Sequence, residues 1–187
     1  MSDADTLCGT GIMLSSDLRI SVGIDPAWSK STMNEYVAWF DGACEPVNPG
    51  GTASFGVVIR DSNDTVLLKE HGLLGEGSAM SNNVAEYAGV LHILKYLSSR
   101  PPGRAIIHGD SNLVINQLSG KWRIKKGLYR SIAIEAQELL AHLHGLGWQV
   151  NLCWIPREQN EECDALSKKD CLDSLNPARN QTRRANG

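Results

Sequence analysis

The sequence predicts an α/β fold: a five-stranded mixed sheet, an antiparallel meander followed by parallel strands, with helices on both faces. Three observations predict it. Three runs rich in β-forming residues come first, with only turns between them. Near Met80 the apolar period changes from two to helical spacing. From there helices and strands alternate to about residue 170, giving the order βββαβααβα.

Each element has its own signal. Tyr36–Asp41 alternates, is rich in β-forming residues and reads as a strand ending at Asp41. Pro49-Gly50-Gly51 makes a turn, and Ala53–Arg60 and Thr65–His71 read as two further strands around Asp61-Ser-Asn-Asp64. Val84, Ala88, Leu91, Leu94 and Leu97 repeat at helical spacing until Pro101-Pro102 stops them. Arg104–Asp110 reads as the fourth strand, Ser111–Leu118 as a short helix, and Leu128–Leu143 as a longer one ended by Gly145 and Gly147. Trp148–Ile155 is the fifth strand, closed by Pro156, and Glu161–Lys169 the last helix.

Composition bounds the function. With 187 residues, 42% of them apolar, and 18 Lys and Arg against 21 Asp and Glu, the chain supports one domain with a real core. Wholesale disorder is excluded. No stretch approaches the ~18 apolar residues of a membrane span, and no basic-then-apolar secretory signal opens the chain. The net charge of −3 argues against gripping nucleic acid by bulk positive charge, leaving room for a local basic patch. Five cysteines without a C-x-x-C pair fit free thiols in a reducing compartment, hence the cytoplasm. Residues 1–34 read as a flexible leader, 35–170 as the domain, and 171–187 as a flexible tail.

Most acids are expected to be solvated surface residues. Asp41 and Asp110 differ by position, since each ends an apolar strand. If those strands are parallel neighbours, both carboxylates emerge at the carboxyl edge of the sheet, beside the switch in strand order where open α/β sheets place ligands. Two carboxylates forced together need a proton or a cation between them, and hard oxygen ligands suit Mg²⁺ or Mn²⁺. Two strand-end caps account for the pair as well, and periodicity leaves both readings open. Glu86 fits a capping box with Asn83 as N-cap. Asp164 falls in the first turn of the last helix, where any acid suits the helix dipole.

Together the segments change the odds. Asp41-Gly-Ala-Cys-Glu-Pro-Val-Asn-Pro-Gly-Gly51 with Phe55-Gly56, Ser81-Asn-Asn-Val-Ala-Glu-Tyr87, Gly109-Asp-Ser-Asn-Leu-Val114 running on to Gln117-Leu-Ser-Gly-Lys-Trp122, and Pro156-Arg-Glu-Gln-Asn160 with Cys163-Asp-Ala-Leu166 occur in order across about residues 35–170. In this the chain resembles the type 1 ribonuclease H family, whose fold agrees with the βββαβααβα reading. The resemblance implies Asp41, Glu86, Asp110 and Asp164 as catalytic, metal-binding acids. It implies two Mg²⁺ ions, with Mn²⁺ possible, clamping the attacking and leaving oxygens of an in-line displacement about 4 Å apart. The implied substrate is an RNA–DNA hybrid whose RNA strand is cut to 5′-phosphate and 3′-hydroxyl ends, selected through its 2′-hydroxyls and groove shape. By motif match Asn48, Asn82, Asn83 and Asn112 fall to substrate contact, because amides donate and accept at once. Capping and turn duty is their competing use.

Two departures from the family pattern stand out. Many bacterial members carry a loop histidine between the fifth strand and the last helix; here the segment Trp154–Asp164 has none, as in a compact, archaeal-like form. Arg157 and Glu158 are the candidates for a related role. His108, two residues before Asp110, is expected to be a buried, hydrogen-bonded structural histidine. The basic protrusion of some members is also missing. Instead Lys121, Trp122, Arg123, Lys125, Lys126, Tyr129 and Arg130 cluster, with no acid from Ser111 to Ile134. Cations with aromatics suit a phosphate backbone with stacking support; a solvated loop is the alternative. No membrane and no protein partner is called for, and a monomer is expected. Of the competing functions, a proofreading-type exonuclease wants an acid where Ala43 stands, and a transposase or integrase wants its acids in another order. A catalytically silent hybrid-binding module, or a related nuclease acting on double-stranded RNA, is the remaining alternative.

Overall fold

The computed structural model describes residues 34–174. The expected leader, apart from Asn34, and the tail beyond Ser174 lie outside the described residues, as does Cys8.

The meander comprises β1 (Asn34–Glu45), β2 (Gly50–Asp61) and β3 (Val66–Gly77). It is followed by α1 (Asn82–Ser98), β4 (Gly103–Gly109), α2 (Asn112–Leu118), α3 (Arg130–Gly145) and β5 (Gln149–Trp154). A 3₁₀ turn (Arg157–Gln159) then leads into α4 (Glu161–Ser174). One five-stranded sheet runs β3-β2-β1-β4-β5. The pairs β1–β2 and β2–β3 are antiparallel, and β1–β4 and β4–β5 are parallel.

Side-chain alternation in β1 sorts the two faces. Tyr36, Ala38 and Phe40 are buried in the main core. There they meet Val90, Ile93, Leu94 and Leu97 of α1 and Ala133, Ala136, Leu140 and Leu143 of α3. The Trp148 ring, next to β5, closes against Tyr36 at 5.6 Å. α4 covers β1 and β2 on the opposite face, so β2 is buried from Gly51 through Ile59. The edge strand β3 leaves Val66, Leu67 and Leu73 exposed.

Two glycines let the helices come close to β1. A Cβ on Gly42 would lie 2.2 Å from the Glu86 nitrogen of α1. A Cβ on Gly56, the register partner of Asp41, would lie 2.6 Å from the Cys163 carbonyl oxygen of α4. The backbone around Asp41 is thereby sandwiched between two helices.

Several sequence expectations need correction. β1 does not end at Asp41 but runs on to Glu45, because its antiparallel pairing with β2 continues to Glu45–Thr52. Its parallel pairing with β4 stops earlier, at Trp39–His108. Asn83 is not the N-cap of α1: Ser81 is, its hydroxyl accepting from the Val84 amide at 3.3 Å. Glu86 therefore lies two residues beyond the capping-box position, which Val84 occupies. α3 starts at Arg130, and α4 continues past Lys169 to Ser174. His108 is half-buried and stacks on Trp39 at 5.4 Å, but its buried Nδ1 has no hydrogen-bond partner, unlike the bonded histidine expected.

Candidate active site

The end of the β1–β4 ladder builds the site. Two residues beyond the last parallel pair, Asp41 and Asp110 stand side by side, and Gly42 lets the start of α1 bring Glu86 against them. Carboxylate oxygens of Asp41, Glu86 and Asp110 all lie within 4.8 Å of one another. Asp41 and Glu86 are buried and Asp110 half-buried. One Glu86 oxygen, Oε2, is buried with no hydrogen-bond partner, and Oε1 accepts only a long 3.4 Å bond from Asn82 Nδ2.

Three acids so placed resist ionising together. Burial first, and then the charges of Asp110 and Asp164, push the Asp41 carboxyl up to about 6, against the opposing Ser167 hydroxyl and Arg157 charge. Burial, then Asp41 and Asp110, push Glu86 well above the usual carboxylate range. An oxygen-only donor set with a buried, unpartnered carboxylate oxygen fits a hard divalent cation such as Mg²⁺ or Mn²⁺. Asp41, Glu86 and Asp110 are the residues that would hold it. Cys163 does not compete, since burial keeps its thiol far from the thiolate form.

Asp164 stands apart from this trio. Its carboxylate pairs instead with Arg157 through Oδ1 and with Lys168 Nζ through Oδ2 at 2.7 Å. Burial alone raises it, but the hydrogen bonds and charges of Lys168 and Arg157 outweigh that and hold it below its ordinary value. Arg157 and Glu158 are both exposed, and Arg157 has a defined contact with Asp164 beside the site.

The predicted substrate residues fall into two groups. Asn48 Oδ1 accepts the Asn82 backbone N–H at 3.0 Å, and Asn82 in turn reaches Glu86, so these amides lead from the β1–β2 turn to the acids. Asn83 is half-buried beside them. Asn112 is exposed at the start of α2, next to Asp110, where its carbonyl accepts from Asn116 Nδ2. Lys121, Trp122, Lys125 and Lys126 form the second group on the exposed segment between α2 and α3, with Trp122 51% exposed.

Sequence reasoning missed four contributors. Asn160, buried before α4, donates from Nδ2 to the Phe40 carbonyl at 2.8 Å and to Asp110 Oδ1 at 3.2 Å, tying β1, β4 and α4 together. Trp154 Nε1 donates to the Asp110 carbonyl at 3.0 Å. Ser167 Oγ donates to Asp41 Oδ2 at 2.5 Å. Gln117, also buried, accepts from the Tyr87 hydroxyl at 2.6 Å and donates to the Arg123 carbonyl at 2.9 Å, anchoring the cationic segment to the core. Asn160 and Gln117 lay in motifs already singled out; Trp154 and Ser167 carry no pattern of their own.

The sheet order and the acid trio at its switch point define a protein of the ribonuclease H-like class. Comparison with known proteins agrees. The model of the reverse transcriptase-like family matches residues 39–170, and the chain belongs to that family. It is 31% identical over 127 residues to a bifunctional protein, Rv2228c, of Mycobacterium tuberculosis, covering 68% of this chain and 33% of that protein. The solved N-terminal RNase H domain of Rv2228c, a fusion with maltose-binding protein, aligns with a TM-score of 0.65 and 29% identity over 76% of this chain and 99% of that one. Ribonuclease HI of Halobacterium salinarum is 32% identical over 132 residues, 71% of this chain and 62% of that enzyme. LC11-RNase H1, from a compost metagenome and solved with an RNA/DNA hybrid, aligns with a TM-score of 0.59 and 26% identity over 70% of this chain and 92% of that one. The chain spans about a third of the length of its mycobacterial relatives.

Proposed function

We propose that this chain is an endoribonuclease that hydrolyses the RNA strand of RNA–DNA hybrids, leaving 5′-phosphate and 3′-hydroxyl ends. The observation that carries the reading is the convergence of Asp41, Glu86 and Asp110 oxygens within 4.8 Å in a chain of this family. Relatives named as RNase H proteins, one solved with a hybrid, support the substrate class. In the proposal Asp41, Glu86, Asp110 and Asp164 hold two divalent cations, Mg²⁺ with Mn²⁺ as substitute. Such ions, when bound, activate water and stabilise the departing 3′ oxygen.

The chain's own residues do the rest. Asn160 and Trp154 fix Asp110 by its side chain and its carbonyl, and Gly42 fixes Glu86 by letting α1 approach. Asp164 would join as a ligand once its carboxylate turned from Arg157 and Lys168. Asn48, Asn82, Asn83 and Asn112 read the RNA strand through its 2′-hydroxyls, and Lys121, Trp122, Lys125 and Lys126 hold the other strand's phosphates. We further propose action as a monomer in the cytoplasm. No disulfide joins Cys44, Cys153, Cys163 and Cys171, and no helix among the described residues is long and apolar enough to cross a membrane.

The test offers one end-labelled RNA strand paired with DNA, paired with RNA, or alone, each with Mg²⁺, Mn²⁺ or EDTA. Metal-dependent cutting of the hybrid is expected. Hybrid binding without cutting under either metal would replace the enzyme with a silent binding module. Cutting of the RNA duplex alone would move the substrate to double-stranded RNA.

A further inference from the structure

Ser167 lies one helical turn beyond Asp164 on α4, fully buried. Its Oγ is 2.5 Å from Asp41 Oδ2 and 3.0 Å from the Asp164 carbonyl oxygen. A hydroxyl has one proton to donate, so the two acceptors compete. The carbonyl contact is the local alternative open to any helical serine. The carboxylate contact is shorter and charge-assisted.

Its geometry is built from outside the helix. Gly56, opposite Asp41 in the sheet, has no Cβ to hold Ser167 off: one placed there would lie 2.7 Å from the Ser167 nitrogen. The Ser54 hydroxyl of β2 donates to the carbonyl oxygen of Ser167 itself, pinning the helix at this residue. The contrast with Glu86 is informative. Glu86 keeps a buried oxygen without a partner, whereas the Asp41 oxygen turned toward α4 is bonded.

We infer that Ser167 is a positioning residue for the cation site. By holding Oδ2 it stops the Asp41 carboxylate from turning and leaves Oδ1 as the oxygen offered to a cation shared with Glu86 and Asp110. This inference rests on the proposed reading of the trio as a divalent-cation site. Hydrogen bonds that orient a ligating carboxylate typically change metal affinity 10–100-fold when removed. Ser167 acts through Asp41 and has no contact with substrate to lose, so its removal should change the metal requirement and leave hybrid affinity alone.

The test is calorimetric titration of Mn²⁺ into the full chain without nucleic acid, for wild type, Ser167→Ala and Ser54→Ala. Thermal melts and hybrid cleavage across Mn²⁺ concentrations accompany it. Ser167→Ala is expected to bind Mn²⁺ about tenfold more weakly and to need correspondingly more for half-maximal cleavage, with the KM for hybrid at saturating metal unchanged. Ser54→Ala removes a buried hydroxyl from the same helix–sheet contact without touching Asp41. It should melt lower and lose much less Mn²⁺ affinity than Ser167→Ala, because the hydroxyl on Asp41 is still present. Wild-type Mn²⁺ affinity in Ser167→Ala would overturn the inference and leave the proposed function standing. An equal loss of affinity in both variants would also overturn it, by assigning the effect to helix docking. Absence of Mn²⁺ binding by wild type would overturn the proposed cation site itself.

Discussion

Asp41 and Asp164 belong to one neighbourhood, yet their surroundings push them in opposite directions. Asp41 sits in the middle of a buried strand with two other acids, and its carboxyl is raised to about 6. Asp164 sits at the start of a helix between Arg157 and Lys168, and its carboxyl is lowered. The difference teaches how such a site is prepared. Burial and mutual repulsion favour a proton on Asp41 and on Glu86, whereas Asp164 already has its countercharge from the protein. Ligand identity alone would not distinguish the two.

The largest expected effect comes from breaking the trio. Asp110→Asn should reduce hybrid cleavage to background while leaving circular dichroism unchanged. It should also raise the melting temperature in EDTA, because a repelling charge is gone. Cleavage at the wild-type rate would remove Asp110 from the site. Gly42→Ala attacks the same trio through the backbone, with its new Cβ 2.2 Å from the Glu86 nitrogen. Overpacking of this kind costs about 1–3 kcal/mol, measured by urea unfolding, and should displace Glu86 enough to weaken metal-dependent cleavage.

A smaller effect is expected at the cationic segment, which is exposed where the trio is buried. Replacing Lys125 and Lys126 together by Ala should weaken hybrid binding and reduce the slope of log affinity against log salt by about 2, with cleavage at saturating hybrid retained. An unchanged salt slope would return the segment to a solvated loop.

The smallest effect sharpens the contrast itself. Asp41 is raised in the folded protein, so the folded state holds more protons than the unfolded one between about pH 4 and 6. Its contribution to stability is therefore full below about pH 4 and is lost as pH rises through about 6. Asp164 has the opposite sign, contributing above its ordinary value and losing that contribution as pH falls. In EDTA, Asp41→Asn should flatten the pH 4–6 decline in melting temperature, a change on the order of 4 °C. Arg157→Ala should lower the melting temperature at pH above the ordinary Asp164 value, and that loss should fade as pH falls below it. A decline unaffected by Asp41→Asn would show that another group causes it.

The parts of this molecule legible in sequence are those governed by local periodicity. All five strands and four helices follow from alternation, helical spacing and the Pro and Gly punctuation between them. Boundaries failed where two local rules competed or a partner strand decided. Ser81 and Asn83 are both good N-caps, and the choice fell to Ser81, which leaves the Asn82 amide to Asn48 and Glu86 free to face the sheet. β1 outran Asp41 because β2, invisible to a reading of β1 alone, keeps pairing with it to Glu45. The trio was legible because motifs carried it. Ser167 and Asn160 were not, since their contacts with Asp41 and Phe40 span 126 and 120 residues and depend on where α4 docks. The Asp164–Lys168 pair stands at i,i+4 on α4 and was open to a spacing argument, whereas the Arg157 contact depends on the 3₁₀ turn that brings it back over α4.

The most direct test of the central claim is a carboxyl-carbon NMR titration of the full chain, first in EDTA and then with saturating Mg²⁺. In EDTA, Asp41 and Glu86 should take up protons above the usual carboxylate range and Asp164 below it. With Mg²⁺, Asp41 and Glu86 should remain ionised to markedly lower pH. Titration of Asp41 and Glu86 at ordinary values in EDTA, unmoved by Mg²⁺, would contradict the account.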